Sequence, residues 1–238
     1  MPPSWPPPPA EISLGHSEVH VWCASLTDVH AELPRFWAIL SPDERARSAK
    51  FHFPGDRDVF VGCRGILREL LGQYLQCDES TIEFSYGRYG KPAISRPRLE
   101  SPLHFNASHS GALALYAMTA AGPVGVDVEC LRTVPDCEQL ASRFFAPDET
   151  ESLMSLPADE RMEGFVACWA RKEAFLKATG EGISGGLASS PPPEWQLQQV
   201  WPAAGYVGAI AYRHDAARVS CWKVSTSVLR RTVMPCLI

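Results

Sequence analysis

Along the chain, short stretches with apolar residues at every second position alternate with longer ones in which they recur every third or fourth. Val19-His20-Val21-Trp22-Cys23 has the period of a strand. Ser41-Pro42-Asp43-Glu44 opens a helix, because serine suits the N-cap, proline the first helical position and acids the first turn. A long helix is predicted from about Asp56 to Gln76, with Phe60, Ile66, Leu67, Leu70, Leu71 and Leu75 on one stripe that must pack on something. Thr81 to Tyr86 and His104 to Ser108 read as short strands around a loop rich in glycine and proline. Ala112 to Thr119 reads as a buried strand, and Val124 to Glu129 as another after Gly122-Pro123. Glu160 to Thr179 forms the second long helix, ending before Gly180 and Gly182, and the run Pro191-Pro192-Pro193 then interrupts the chain. Tyr206 to Tyr212 and Val219 to Val224 are expected to pair as strands.

A long helix followed by strands thus occurs twice, with the divide near residue 120. The predicted fold class is α+β, with an extended proline-rich N-terminus (1–15), an N-terminal α+β half (16–120) and a C-terminal α+β half (121–238). The cleft between two such halves is the natural place for a ligand. Six prolines between Met1 and Ala10 make that stretch extended rather than helical, with an unstructured terminus as its ordinary reading.

Composition narrows the function classes. Hydrophobic residues are 45% and charged residues 21% of the 238, the balance of a folded globular protein. A net charge of −5 argues against general attraction to nucleic acid or to an anionic membrane, so any anionic ligand must be held by a local cluster. No stretch approaches the roughly 20 apolar residues of a membrane span, and no signal-peptide pattern opens the chain, so the cytoplasm is the expected location. The eight cysteines are scattered without a Cys-x-x-Cys pair, which predicts reduced, mostly buried thiols rather than a zinc site or a disulfide framework.

Four segments carry candidate chemistry. In Gly125-Val126-Asp127-Val128-Glu129, strand alternation puts both carboxylates on one face, a tolerable pairing when a divalent cation such as magnesium sits between them. An exposed acidic strand face has the same letters. In Trp169 to Gly180, the four-residue spacing stacks Trp169, Glu173 and Lys177, so Glu173 could complete a three-carboxylate magnesium site while Lys177 reaches a phosphate oxygen. A surface Glu–Lys pair is the plainer account of that spacing. Asn106-Ala107-Ser108-His109-Ser110-Gly111 could bind phosphate or ribose, or be a polar turn. A hydrolase triad is disfavoured, since adjacent residues seldom form a nucleophile–base pair and no Gly-x-Ser-x-Gly elbow occurs. Finally, Ser85 to Arg98 holds four basic residues and no acid, a positive loop with interleaved aromatics on an acidic protein.

In this order, Tyr89 to Pro92, Asn106 to Ser110, Gly125 to Glu129 and Trp169 to Lys177 resemble the motifs of the long, monomeric 4′-phosphopantetheinyl transferases, the type that activates surfactin synthetase and other peptide and polyketide synthases. The resemblance implies two α+β halves related by a pseudo-twofold axis, with coenzyme A in the cleft between them. It implies Mg2+ held by Asp127, Glu129 and Glu173, with Lys177 near the pyrophosphate. It implies nucleotide and 3′-phosphate contacts from Lys91, Ser108 and His109, with Arg47 or Arg64 adding to them. Some relatives carry a basic residue where Glu44 falls.

The implied reaction moves the 4′-phosphopantetheine arm to a serine of an apo acyl or peptidyl carrier protein and releases 3′,5′-ADP. Glu173 is the candidate base for the serine proton and Lys177 the second catalytic residue. A metal-dependent coenzyme A or nucleotide hydrolase and a non-catalytic carrier-protein-binding module are the alternatives.

Overall fold

The computed structural model describes residues 5–27, 29–97, 102–182, 191–213, 218–225 and 229. Among them, the strands are β1 (Glu18–Ser25), β2 (Glu83–Tyr86), β3 (Pro92–Arg96), β4 (His104–Ser110), β5 (Leu113–Thr119), β6 (Val124–Cys130), β7 (Trp195–Val200), β8 (Tyr206–Arg213) and β9 (Arg218–Lys223). The α-helices are α1 (Leu33–Ile39), α2 (Pro42–Ser48), α3 (Pro54–Leu75), α4 (Cys137–Phe144), α5 (Pro147–Met154) and α6 (Arg161–Thr179). The mixed α+β class and both long helices agree with the sequence reading.

Two sheets and two long helices stack as four layers. One sheet has the order β4-β5-β1-β9 and the other β6-β8-β7, while β2 and β3 form a separate hairpin. The alternation of β5 decides the stacking. Ala114, Tyr116 and Met118 join Ile66, Leu70 and Leu71 of α3 in one core, whereas Leu113, Leu115 and Ala117 join Val124, Val126 and Val128 of β6 in another. The first sheet is therefore buried on both faces, which is why β5 reads as an unbroken apolar run. On the far side of the second sheet, α6 packs through Ala170, Ala174 and Ala178 against Ala209 and Ala211 of β8. Gly125 lets that helix come close, since a Cβ there would collide with the backbone of Ala174 and Ala178.

Three expectations are corrected. β8 and β9 are not partners: β8 lies between β6 and β7, while β9 crosses back to pair in parallel with β1, Trp222 opposite Trp22. Its apolar residues are needed by the N-terminal core, where Trp222 packs beside Trp22. The described part of the proline-rich N-terminus is extended but packed, with Trp5 buried in the inter-sheet core and Pro6 accepting a hydrogen bond from the Lys223 backbone at 3.0 Å. Met1 to Ser4 lie outside the described residues. The seven described cysteines are free, and only Cys23 and Cys168 are buried while the rest are half-buried; Cys236 lies outside the described residues.

Candidate active site

The sheet order leaves β4 and β6 as edge strands, and the two edges meet. An edge has unpaired backbone groups that must find partners. Here the partners are side chains of β4 at every second position. Asn106 Oδ1 accepts from the Val126 backbone N–H at 2.9 Å, Ser110 Oγ accepts from that of Cys130 at 3.1 Å, and between them Ser108 Oγ donates to Asp127 Oδ1 at 2.8 Å. Ser110 Oγ also donates to Glu129 Oε2 at 3.1 Å. Asn106, Ser108 and Ser110 therefore stand in for a strand ladder and fix both carboxylates of β6. Period-two polarity in this segment is the signal for that role, whereas the sequence reading offers a phosphate or ribose site or a polar turn.

Gly125, Asp127 and Glu129 share the face of β6 that looks toward α6, and α6 supplies the rest of the site. Lys177 Nζ lies 2.5 Å from Asp127 Oδ1 and donates to Ser108 Oγ at 2.8 Å. Trp169 anchors the same helical stripe, stacking on Phe165 with ring centroids 6.1 Å apart. Glu173 lies between them in the stripe, half-buried. Burial pushes its pKa up, Lys177 opposes that shift and the charge of Asp127 adds to it. Glu129 is also raised, first by burial and then by Asp127.

Two oxygens in this acidic group, Asp127 Oδ2 and Glu173 Oε1, are buried without a hydrogen-bond partner among the described residues. Such atoms are costly unless something else meets them. The donor set is wholly oxygen, which suits a hard cation such as magnesium. Yet no three His, Cys, Asp or Glu side chains among the described residues close on a common metal-holding point. The cation actually in contact with Asp127 is the Lys177 ammonium.

Beside this group, on the other face of β4, a cavity of about 400 Å³ is lined by Arg47 of α2, Arg64 of α3, Phe60, Ser108 and His109. Ser108 thus touches both places, while His109 faces the cavity alone. Burial and the nearby Lys177 charge both push the His109 pKa down. The structure brings Arg47, Arg64, Ser108 and His109 together around one cavity. Lys91 is placed elsewhere. Its Nζ donates to the backbone carbonyls of Ala178 at 2.7 Å and Val124 at 3.1 Å, tying the β2–β3 hairpin to the end of α6, and burial pushes its pKa down to about 8. It lines a different cavity, of about 420 Å³, with Tyr86, His104 and Gly180. A larger cavity of about 640 Å³ lies on the opposite face of α6, lined by Glu163, Ala167 and Arg171, and shares no residue with the acidic group.

With this geometry in view, likeness to known proteins is informative. The family model described as "4'-phosphopantetheinyl transferase, N-terminal" matches residues 25–121, and the one for the "4'-phosphopantetheinyl transferase superfamily" matches residues 123–233. The chain is 40% identical over 220 residues to the 4'-phosphopantetheinyl transferase HetI of Nostoc sp., covering 87% of this chain and 93% of that one. It is 35% identical over 153 residues to the 4'-phosphopantetheinyl transferase Sfp of Bacillus subtilis, covering 64% of this chain and 66% of that one. The chain belongs to the 4′-phosphopantetheinyl transferase superfamily. No helix among the described residues is long and apolar enough to cross a membrane.

Proposed function

We propose that the protein transfers the 4′-phosphopantetheine group of coenzyme A to a serine of an apo acyl or peptidyl carrier protein, with release of 3′,5′-ADP. The observation that supports this most is the junction of β4, β6 and α6. Asp127 and Glu129 of β6 face the α6 stripe of Glu173 and Lys177 there, with Lys177 in contact with Asp127, next to a cavity carrying two arginines and a histidine. Magnesium held by Asp127, Glu129 and Glu173 would offset the charge that builds on the pyrophosphate. The unpartnered Asp127 Oδ2 and Glu173 Oε1 are the atoms that favour this ligand set.

The protein's own residues do the remainder. Arg47, Arg64 and His109 hold the phosphorylated ribose of the nucleotide, and Ser108 connects that cavity to Asp127. Holding both substrates in line supplies the positional part of the rate, as in other phosphoryl transfers. Lys177 leaves Asp127 Oδ1 for a phosphate oxygen as charge develops there. Glu173, whose pKa burial raises, takes the proton of the carrier serine, because a raised carboxylate is the better base near neutral pH. Lys91 keeps the hairpin and α6 in register and is read as an anchor rather than a direct phosphate contact. The halves 16–120 and 121–238 supply the nucleotide cavity and the carboxylates respectively. On this reading the enzyme works in the cytoplasm as a monomer, with coenzyme A and the carrier protein as its partners.

The test is intact mass spectrometry of an apo carrier protein incubated with the enzyme, coenzyme A and magnesium. Addition of one phosphopantetheine to a serine supports the reading. Free phosphopantetheine formed without any carrier would indicate the hydrolase instead. Carrier binding that needs neither Asp127 nor Glu129, with no mass change, would indicate the binding module. Neither alternative draws support from the family likeness.

A further inference from the structure

Glu44 is an acid placed beside a cavity read here as an anion site, which at first sight opposes that use. Its environment resolves the conflict. The side chain is only 1% exposed, and its two oxygens face different arginines of α3. Oε2 accepts from Arg68 Nε at 2.7 Å, and Arg68 is itself fully buried, donating through Nη1 to the carbonyls of Glu79 at 2.8 Å and Ile82 at 3.0 Å. Arg68 thus neutralises Glu44 and cannot leave it. Oε1 lies 3.3 Å from Arg64 Nε, an ion pair without an aligned hydrogen bond, and Arg64 Nη1 is buried with no partner among the described residues. Arg64 is steered by Glu44, and because one carboxylate is shared by two arginines the group keeps one net positive charge.

The same carboxylate also fixes α2. Glu44 Oε2 accepts from the Ser41 backbone N–H at 3.0 Å, the reciprocal half of a capping box, so the helix is pinned to α3 at the turn before Arg47. Arg47 and Arg64 then converge over one ring, their guanidinium carbons 5.5 Å and 5.9 Å from the Phe60 centroid. Among the described residues the cavity lining has one acid, Asp56, against these two cations.

We infer that Glu44 is a positioning residue for the nucleotide: it touches no substrate, but holds Arg47 and Arg64 in the geometry that receives a phosphate. This rests on the nucleotide placement proposed above. It also accounts for an acid at a position where a basic substrate contact was the alternative.

The test is a double-mutant cycle on the full-length enzyme, with 3′,5′-ADP as the calorimetric probe and the Michaelis constant for coenzyme A measured alongside. Glu44→Gln keeps the capping-box hydrogen bond and the volume but removes the charge. It should weaken 3′,5′-ADP binding by about tenfold or more, the scale of one charge-assisted hydrogen bond, and raise KM rather than lower kcat. In an Arg64→Met background the same change should alter affinity by less than about twofold, because glutamine keeps the capping box that places Arg47 and the lost charge acts through Arg64. Glu44→Asp, which keeps the charge, should recover part of the loss and serves as the readout if the glutamine variant does not fold. Equal losses from Glu44→Gln in both backgrounds, or an aspartate variant no tighter than the glutamine one, would overturn the inference while leaving the nucleotide placement intact. Unchanged 3′,5′-ADP affinity in Arg64→Met alone would overturn the placement and the inference with it.

Discussion

Lys177 of α6 and Ser108 of β4 come from different layers of the fold, yet they meet at 2.8 Å and both donate to the same oxygen of Asp127. This pairing joins the helix to the junction of the two sheet edges, and it places a positive charge where carboxylates would otherwise repel one another. Asp127 is almost wholly buried, whereas Lys177 keeps about a third of its side chain exposed.

Lys177→Met keeps the stem that packs along α6 and deletes the charge. Transfer to a carrier protein should fall by about 10²-fold in kcat, the usual cost of losing one preorganised charge-stabilising group, with a much smaller change in coenzyme A affinity. Steady-state kinetics with a saturating carrier protein check this.

Asn106→Leu tests the side-chain ladder on the β6 edge. The Val126 N–H would lose its acceptor in a buried place, which costs about 1 to 3 kcal/mol. Urea unfolding should show that loss as a lower midpoint with an unchanged slope.

Much of this site was legible in the letters, and what was not has a physical cause. Asp127 and Glu129 on one face of β6, and Glu173 and Lys177 on one stripe of α6, follow from strand and helix periods that tertiary structure did not disturb. The convergence of Arg47 with Arg64 could not be read this way, because it depends on a buried carboxylate between α2 and α3. For Lys91 the resemblance implies a nucleotide contact, and no local pattern shows that the carbonyls of Val124 and Ala178 also take its ammonium. The partner of β9 was misjudged because sequence-adjacent strands usually pair. Here the long return to β1 covers Trp22 with Trp222, which no local pattern encodes.

Lys91 also predicts a dependence of stability on pH. Its folded pKa, about 8, lies below the ordinary lysine value, so between these two the unfolded chain binds more protons than the folded one. Stability contributed by this group therefore rises with pH above about 8, levels off near the unfolded pKa of about 10.4, and is flat below pH 8. Denaturant unfolding from pH 7 to pH 10 should show this slope in the parent protein relative to Lys91→Met.

His109 faces the arginine cavity, away from the carboxylates. If it contacts the 3′-phosphate, His109→Ala should lose about 1.5 to 3 kcal/mol in kcat/KM for coenzyme A and little for 3′-dephospho-coenzyme A, from which the contact is already missing. Equal losses on both substrates would mark His109 as a structural residue or one acting on the reacting phosphate.

The most direct test of the account is the rate at which Asp127→Ala and Glu173→Ala convert an apo carrier protein to its phosphopantetheinylated form, followed by intact mass at saturating coenzyme A and magnesium. A three-carboxylate site has no spare hard oxygen ligand, so each variant should lose at least about 10²-fold in rate while keeping the parent's circular dichroism spectrum. Folded variants that both transfer within about twofold of the parent would contradict the assignment of the β4, β6 and α6 junction as the catalytic centre.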